Sequence, residues 1–410
     1  MTRSPLAEPA RPAIAFPPDR SDPLAPPVEY RVLRDSAPAS RITLYDGSEA
    51  WLLTRYDDVR AVLGDLRFSA DARRDGFPFV SAAVRASVGG RTPFFRMDPP
   101  DHDRIRRMLT RDFMVKSIDA LRPRISAIVD RFLDQLLAQP QPADLVQEFA
   151  LPIPSAVIAE LLGVPYEDHE YFQTRGKRML SRSSTLQESA QSVVDLREYI
   201  GKLAERRRTD PGDDVLSRLV VERELTGELD HEDVKSTGLL LLVAGHETTA
   251  NMIALSVLTL LRHPEQLAAL RADLSRVRDV VEELLRFLSV VHSGVPRVAL
   301  EDVEIAGVVI REGEGVIASV PAANWDPAHF AAPEVFDIDR DARRHVAFGF
   351  GIHQCLGQPL ARAELEIALT TLLDRLPGLG LAESGEDGGG GPEFAPEKAV
   401  YGLHRLPVTW

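Results

Sequence analysis

Apolar residues recur every three or four positions over most of the chain, the spacing that places them on one face of an α-helix. The clearest pattern, between residues 118 and 136, consists of Ile118, Leu121, Ile125, Val129, Phe132 and Leu136. Similar patterns predict helices over about 190–208, 232–262, 264–288 and 359–374. Helices therefore dominate the predicted structure.

Short runs of strand-forming residues predict a small β region. Residues 41–44 and 50–54 alternate between apolar and polar on either side of Asp46 and Gly47, a pair typical of a tight hairpin turn. Residues 303–310 and 315–320 are further strand-like runs. We therefore expect a mainly α fold with a small β region.

The domain organisation follows from composition along the chain. No linker-like stretch divides the middle of the 410 residues, so we expect one large domain over residues 28–410. Residues 1–27 contain eight prolines and no long apolar run, which predicts an extended, irregular leader and not a signal peptide. The glycine-rich residues 385–392 predict a loop.

Charge and apolar length bear on partners and location. The net charge of −14 argues against nucleic acid or an anionic membrane as a partner. Residues 238–261 approach membrane-spanning length, but the polar residues 246–249 interrupt their centre, which favours a buried helix. A single cysteine excludes an intramolecular disulfide and fits a reducing compartment. We expect a soluble, cytoplasmic monomer.

That cysteine, Cys355, lies in the segment Phe-Gly-Phe-Gly-Ile-His-Gln-Cys-Leu-Gly at residues 348–357. Glycines at alternate positions let a backbone approach a flat ligand closely. Pro359 and the leucines after it predict a helix that starts directly after the cysteine. The free amides at a helix N-terminus lower the pKa of a cysteine thiol. The alternative is a small, buried apolar residue, the commonest environment of a lone cysteine.

The segment resembles the haem-ligand loop of the cytochrome P450 family, and it matches the pattern Phe-Gly-x-Gly-x-His-x-Cys-x-Gly at every diagnostic position. The resemblance implies the cytochrome P450 fold, a single helical domain around a buried haem b (iron protoporphyrin IX). It makes Cys355 the axial ligand of the iron. It also implies that Phe348, Gly349 and Gly357 contact the haem and that His353 reaches a haem propionate.

A second motif, Ala-Gly-His-Glu-Thr-Thr at residues 244–249, interrupts the apolar helix. A threonine within a helix can bond the carbonyl four residues back, which for Thr248 is that of Ala244, and can open a groove there. The motif resembles the oxygen-activation segment of the same family. That resemblance implies that Thr248 donates a hydrogen bond during oxygen activation, that Glu247 relays protons, and that Ala244 and Gly245 form a thin wall beside the haem. The alternative is a polar cluster that bonds only to the backbone.

Charged residues elsewhere occur in the order that the family shows. By resemblance, Glu283, Arg286 and Arg340 form a buried network that holds the segment before Cys355, although an isolated pair at this spacing is usually a solvated salt bridge. Burying two haem propionates requires cationic or hydrogen-bonding partners. The residues that match the family's propionate-binding positions are His102, Arg106, Arg297 and His353.

The electron supply is expected to come from other proteins, a ferredoxin and its ferredoxin reductase. The sequence contains no Gly-x-Gly-x-x-Gly fingerprint and no segment for a flavin domain. A basic cluster could dock an acidic ferredoxin, or it could be a solvated face. Its residues are Arg104, Arg106, Arg107, Arg111 and Lys116, with Arg343 and Arg344 flanking the ligand loop.

The substrate is the least determined part of the prediction. Residues 71–96 and 165–190 are irregular, contain Phe77, Phe79, Phe94 and Phe95, and are expected to form the mouth of the pocket. Candidate lining residues, each equally consistent with core packing, are Leu240, Val243, Ala244, Val290, Val291 and Val400. An aliphatic lining suits a hydrophobic substrate.

The resemblance is to actinobacterial members, so we expect regioselective hydroxylation or epoxidation of a macrolide, polyketide or terpenoid-like natural product with dioxygen. Three alternatives stay open at this point. They are peroxide-driven oxidation, oxidative coupling without oxygen insertion, and a haem sensor or recruitment protein without catalysis.

Overall fold

The computed structural model describes residues 14–82, 85, 91–180, 185–382, 390–396 and 400–410. Most of them are helical. The helices are α1 Val28–Ser36, α2 Tyr56–Gly64, α3 Asp101–Thr110, α4 Val115–Leu137, α5 Pro152–Leu161, α6 His169–Leu180, α7 Leu186–Arg207, α8 Val215–Leu219, α9 His231–Arg262, α10 Pro264–Ala272, α11 Val277–Leu288, α12 Val320–Asn324 and α13 Gln358–Arg375.

The strands are short and form small sheets beside the helices. They are β1 Ile14–Ala15, β2 Ala39–Thr43, β3 Glu49–Leu53, β4 Phe68–Ser69, β5 Ala143–Asp144, β6 Val295–Ala299, β7 Val303–Ile305, β8 Val308–Ile310, β9 Gly315–Ala318, β10 Gly380–Leu381, β11 Glu393–Phe394, β12 Leu403–Arg405 and β13 Pro407–Thr409. The largest sheet has the order β1-β2-β3-β9-β6-β4. Its centre contains the predicted hairpin, with Arg41 opposite Trp51. The mainly α fold with a small β region is confirmed.

Two predicted elements differ from the structure. The apolar pattern over 264–288 belongs to two helices, α10 and α11, because Asp273 ends the first and its carboxylate accepts a hydrogen bond from the Ser275 amide at 3.1 Å. The strand predicted over 303–310 is a hairpin of β7 and β8. Ala306 and Gly307 have φ values of 52° and 78°, which form the tight turn.

The long helix α9 forms the centre of the molecule. Its N-terminus has a capping box, in which Asp230 accepts from the Asp233 amide and the Asp233 side chain accepts from the Asp230 amide. The helix packs against α5, α7 and α13, and residues 249–260 are all buried. Its length and composition would also suit a membrane span. Its burial inside the protein agrees with the predicted core helix.

The N-terminal segment is attached to the domain from residue 14. Strand β1 pairs in parallel with β2, and the side chains of Phe16 and Leu24 are buried. Residues 1–13 of the predicted leader and residues 385–389 of the predicted glycine-rich loop lie outside the described residues. The domain boundary at residue 27 stays a prediction.

Candidate active site

Cys355 lies between a short 3-10 turn, Gly351–His353, and the start of α13. Its amide donates to the Phe348 carbonyl at 2.8 Å, which closes the loop. The helix begins at the predicted place, and the amides of Gly357 and Gln358 donate to the sulfur. Burial nevertheless raises the pKa of the Cys355 thiol, and these amides only partly oppose it. The expected lowering of the pKa is therefore wrong for the polypeptide alone, because desolvation outweighs the helix terminus.

The glycines of this loop are required mainly by the backbone. Gly351 has a φ of +74°, and a Cβ there would lie 2.4 Å from the Leu63 carbonyl oxygen. Gly349 has a φ of +71°, and a Cβ there would meet no atom of the described residues within 4 Å. At Gly351 the approach of protein backbone by itself requires a glycine, and the predicted contact of this loop with a flat ligand stays a prediction.

A cavity of about 420 Å³ opens beside Cys355. Phe348, Gly349 and His353 line it from the cysteine loop, and Ala244 and Thr248 line it from α9. Cys355 is accessible to this cavity although it lies deep in the protein. The cysteine loop and the polar motif of α9 are thereby brought to one cavity.

The predicted substrate-pocket residues fall into two groups. Val290 and Val291 line the cavity. Leu240 and Val400 pack at the margin of the main core, and Val243 is 38% exposed. Within the described part of the chain, these three are not among the cavity's lining residues. Their contact with a substrate stays a prediction.

Helix α9 presents its polar motif as the sequence suggested. The Thr248 hydroxyl donates to the Ala244 carbonyl at 2.8 Å, and Glu247 is half-buried beside it. The helix is continuous from residue 231 to 262, without a break at the Thr248 bond. A Cβ on Gly245 would lie 2.5 Å from Ile158, so this glycine allows α5 to pack closely. The structure thus places Gly245 at a helix contact and Thr248 at the cavity.

Two predicted polar residues, Arg297 and His353, line the cavity, and His102 and Arg106 lie close to His353. His102 is fully buried, and its ring centroid lies 4.2 Å from that of His353. Burial, followed in order by the neighbouring Arg297, His102 and Arg106, lowers the pKa of His353 to about 3. Burial also lowers the pKa of Arg297 to about 10.

This polar edge has unused hydrogen-bonding capacity. The Nε2 atom of His102 and the Nδ1 atom of His353 are buried and have no hydrogen-bond partner among the described residues. Buried polar atoms are usually hydrogen-bonded, and two guanidinium groups beside them favour an anionic partner. The donor set therefore fits the two carboxylates of a haem, and Cys355 fits its iron.

The predicted charge network holds the chain before the cysteine loop. Glu283 and Arg286 are fully buried and joined by two hydrogen bonds of 2.7 and 2.8 Å. The Arg286 guanidinium also donates to the carbonyls of Asn324 and Pro333. Arg340 completes the network with a hydrogen bond of 3.1 Å to Glu283. The three residues tie α11 to the segment that leads to Cys355.

Comparison with known proteins decides the family. A family model described as "Cytochrome P450" matches residues 162–377. The chain belongs to the cytochrome P450 family. It is 54% identical over 373 residues to cytochrome P450-SU2 from Streptomyces griseolus, covering 91% of each chain. It is 48% identical over 397 residues to pentalenic acid synthase from Streptomyces avermitilis, covering 97% of each chain.

Comparison of the structure with solved structures also identifies cytochrome P450 proteins. The crystal structure of the mycinamicin VIII C21 methyl hydroxylase MycCI from Micromonospora griseorubida, bound to mycinamicin VIII, matches with a TM-score of 0.88 at 41% identity. The match covers 97% of this chain and 100% of that one. The predicted cytochrome P450 fold is confirmed, and the protein is a haem-dependent P450 monooxygenase.

Sequence reasoning missed a second charge network of this P450. Glu282 accepts from the Arg362 guanidinium at 2.6 and 2.9 Å and contacts His345 at 3.2 Å. Burial opposes ionisation of Glu282, but these partners lower its pKa to about 2. Arg362 also lies 4.7 Å from the Phe348 ring centre. The available signals were Arg362 in the helix after the cysteine and Glu282 next to Glu283, but the sequence does not show that they meet.

Proposed function

We propose that this P450 hydroxylates or epoxidises a hydrophobic natural product regioselectively, using dioxygen and electrons from a ferredoxin. One observation carries the proposal: a single, mainly apolar cavity is lined by both Cys355 and Thr248. A haem-sensor function would not need an alcohol at that position. The names of MycCI and pentalenic acid synthase, a hydroxylase and a synthase of natural products, also support the substrate class.

Different residues would bind the iron and the propionates of the cofactor. Cys355 would bind the iron of haem b, and the propionates would be held by His102, Arg106, Arg297 and His353. When bound, the haem supplies a thiolate-ligated iron that activates dioxygen. Phe348 lines the cavity next to the cysteine and is fixed by Arg362. The apolar part of the wall, which includes Val290 and Val291, would limit the access of water to a bound substrate.

Residues on helix α9 would deliver protons to the site. The Thr248 hydroxyl donates to the Ala244 carbonyl, which holds its oxygen at the cavity. There the oxygen can accept a hydrogen bond from water, and rotation of the hydroxyl away from Ala244 would let it donate its hydrogen to a bound ligand. Glu247 is the adjacent carboxyl group, and its partial exposure permits exchange with water. These two residues are the proposed proton-delivery groups.

Electrons would enter on the cysteine side through a basic surface. Arg104, Arg107, Arg111 and Lys116 are exposed, as are Arg343 and Arg344. Arg106 is half-buried, and its charge acts on Cys355, so it belongs to the haem site and not to the docking surface. Positive charge in an otherwise acidic protein favours an acidic ferredoxin. Electron supply by a soluble ferredoxin is consistent with a cytoplasmic, monomeric protein.

Isotope-labelled dioxygen tests the reaction type. The purified protein would be supplied with a ferredoxin, its reductase, NADPH and a panel of macrolide and terpenoid candidates. We expect one atom of label in the product. Label from hydrogen peroxide, or a coupled product without label, would contradict the proposal and favour the alternatives stated above.

A further inference from the structure

Arg96 is a cation in the cavity wall that none of the roles above uses. It ends the 3-10 turn Phe94–Arg96, and it lines the same cavity as Cys355 and Thr248. Its guanidinium carbon lies 5.2 Å from the ring centre of Phe77 and 5.5 Å from that of Phe95. Both phenylalanines also line the cavity. The two rings hold the guanidinium at the surface of the pocket.

Among the described residues, no side chain neutralises the charge of Arg96. No carboxylate of the described residues forms an ion pair with it, and its Nη1 atom is buried without a hydrogen-bond partner among them. Desolvation lowers the pKa of Arg96. Arg73 on the same loop differs, because its guanidinium bonds Asp71 at 2.7 Å on the surface. A buried cation without a counter-charge is costly, and a ligand anion would remove that cost.

The charges of the two haem propionates can be matched without this cation, although Arg96 lies near enough to Arg297 for its positive charge to act on that residue. Two propionates bring two negative charges, and Arg106 and Arg297 supply two positive charges at the polar edge. His102 and His353 add the two unused nitrogens described above. Arg96 is therefore a third positive charge, in a wall that it shares with the aromatic residues Phe77 and Phe95.

We propose that Arg96 binds a carboxylate of the substrate, so that the substrate is an apolar molecule bearing one acidic group. The proposal rests on the proposed monooxygenase function and names the substrate class of the same site. A guanidinium presents paired donors that match a carboxylate, and Arg96 is part of the wall of the cavity that would hold the substrate. The acid would then fix which end of the substrate lies away from the iron, and hence the site of oxidation.

Spectral titration of the ferric haem protein tests the proposal. The probes are decanoate, dodecanoate and 4-phenylbutyrate, each compared with its primary alcohol and its methyl ester. The variants are Arg96→Gln, Arg96→Lys and the matched control Arg73→Gln. Haem content and the spectrum of the reduced carbon monoxide complex are recorded for every variant.

We expect at least one acid to bind about tenfold or more tightly than its alcohol, as for a charge-assisted pair. Arg96→Gln should abolish that preference without weakening the alcohol, Arg96→Lys should keep part of it, and Arg73→Gln should keep all of it. No acid preference in the natural protein, or a preference that survives Arg96→Gln, overturns the proposal.

Two further outcomes are distinguishable. If Arg96→Gln lowers haem retention and leaves the acid preference intact, the arginine serves a propionate and the proposal is overturned. If the natural protein shows the thiolate-type carbon monoxide spectrum and oxidises neutral substrates while acids show no preference, only this inference fails. Loss of that spectrum in the natural protein would instead reject the proposed function.

Discussion

The imidazole rings of His102 and His353 lie 4.2 Å apart, although one comes from α3 and the other from the turn before Cys355. Each ring has a buried nitrogen without a partner among the described residues. The contact links the helix that supplies Arg106 to the loop that supplies the iron ligand. The propionate site is therefore formed by tertiary packing and not by one continuous motif.

Replacing His102 tests that site. His102→Phe keeps the ring packing but removes the nitrogen, so we expect haem to leave the protein faster, by about tenfold for one lost charge-assisted hydrogen bond. Transfer of haem to an excess of a haem-binding apoprotein measures this rate. His102→Gln retains a donor and should recover part of the loss; equal rates for all three proteins would count against the propionate role.

The Glu283 network is expected to be structural. Glu283→Ala leaves the fully buried Arg286 without a counter-charge, which should destabilise the protein by about 3–5 kcal/mol and reduce haem incorporation. Denaturant unfolding and the haem-to-protein ratio measure the two effects. Arg343→Ala breaks an exposed pair with Asp279 and should cost less than about 1 kcal/mol. Full haem content in Glu283→Ala would reject the role.

Stability should depend on pH through Glu282. Because its folded pKa is about 2 and its ordinary value is 4.5, its contribution is complete above pH 4.5 and is lost as the pH falls from 4.5 toward 2. That contribution is at most about 3 kcal/mol. The free energy of unfolding of Glu282→Gln should thus vary less with pH than that of the natural protein over this range. Parallel curves for the two proteins would exclude the effect.

The Thr248 hydroxyl should couple electron use to product formation. Thr248→Ala removes it, and we expect product formed per NADPH consumed to fall by about tenfold or more while NADPH oxidation continues. Thr248→Ser keeps a hydroxyl and should retain most of the coupling. Unchanged coupling in Thr248→Ala would show that the hydroxyl has no role in proton delivery.

The basic surface should control reduction. We expect the rate of reduction by an acidic ferredoxin to fall as ionic strength rises, and to be several-fold lower in Arg107→Glu at low salt. Arg31→Glu, on the exposed face of α1, is the control and should change the rate little. Stopped-flow reduction measures these rates. A rate insensitive to both salt and Arg107→Glu would reject ferredoxin docking at this surface.

Sequence patterns predicted many helices and turns of this structure because residues close together in the chain determine those elements. The apolar period located α4 and α9, the Asp46-Gly47 turn located the hairpin, and the spacing around Cys355 located the haem loop. Contacts between segments that are far apart in the chain could not be predicted from these sequence patterns. The bonds of Glu282 to Arg362, and the enclosure of Arg96 between Phe77 and Phe95, depend on how helices and loops pack.

Contacts that depend on packing also decide which of the predicted substrate-pocket residues line the cavity. Leu240 and Val243 lie on α9 with Ala244, and the sequence does not show which of the three faces a cavity. However, the helical rotation that turns Ala244 toward the cavity turns its neighbour Val243 away. The break at Asp273 was hidden because the apolar residues of α10 and α11 continue one period across it.

The central claim is that the Cys355 thiolate binds haem iron, and the carbon monoxide difference spectrum of the reduced protein measures this directly. We predict the strongly red-shifted band of a thiolate-ligated haem in the natural protein and its loss in Cys355→Ala. A natural protein purified without haem, or a Cys355→Ala protein that keeps the same band, would contradict the account.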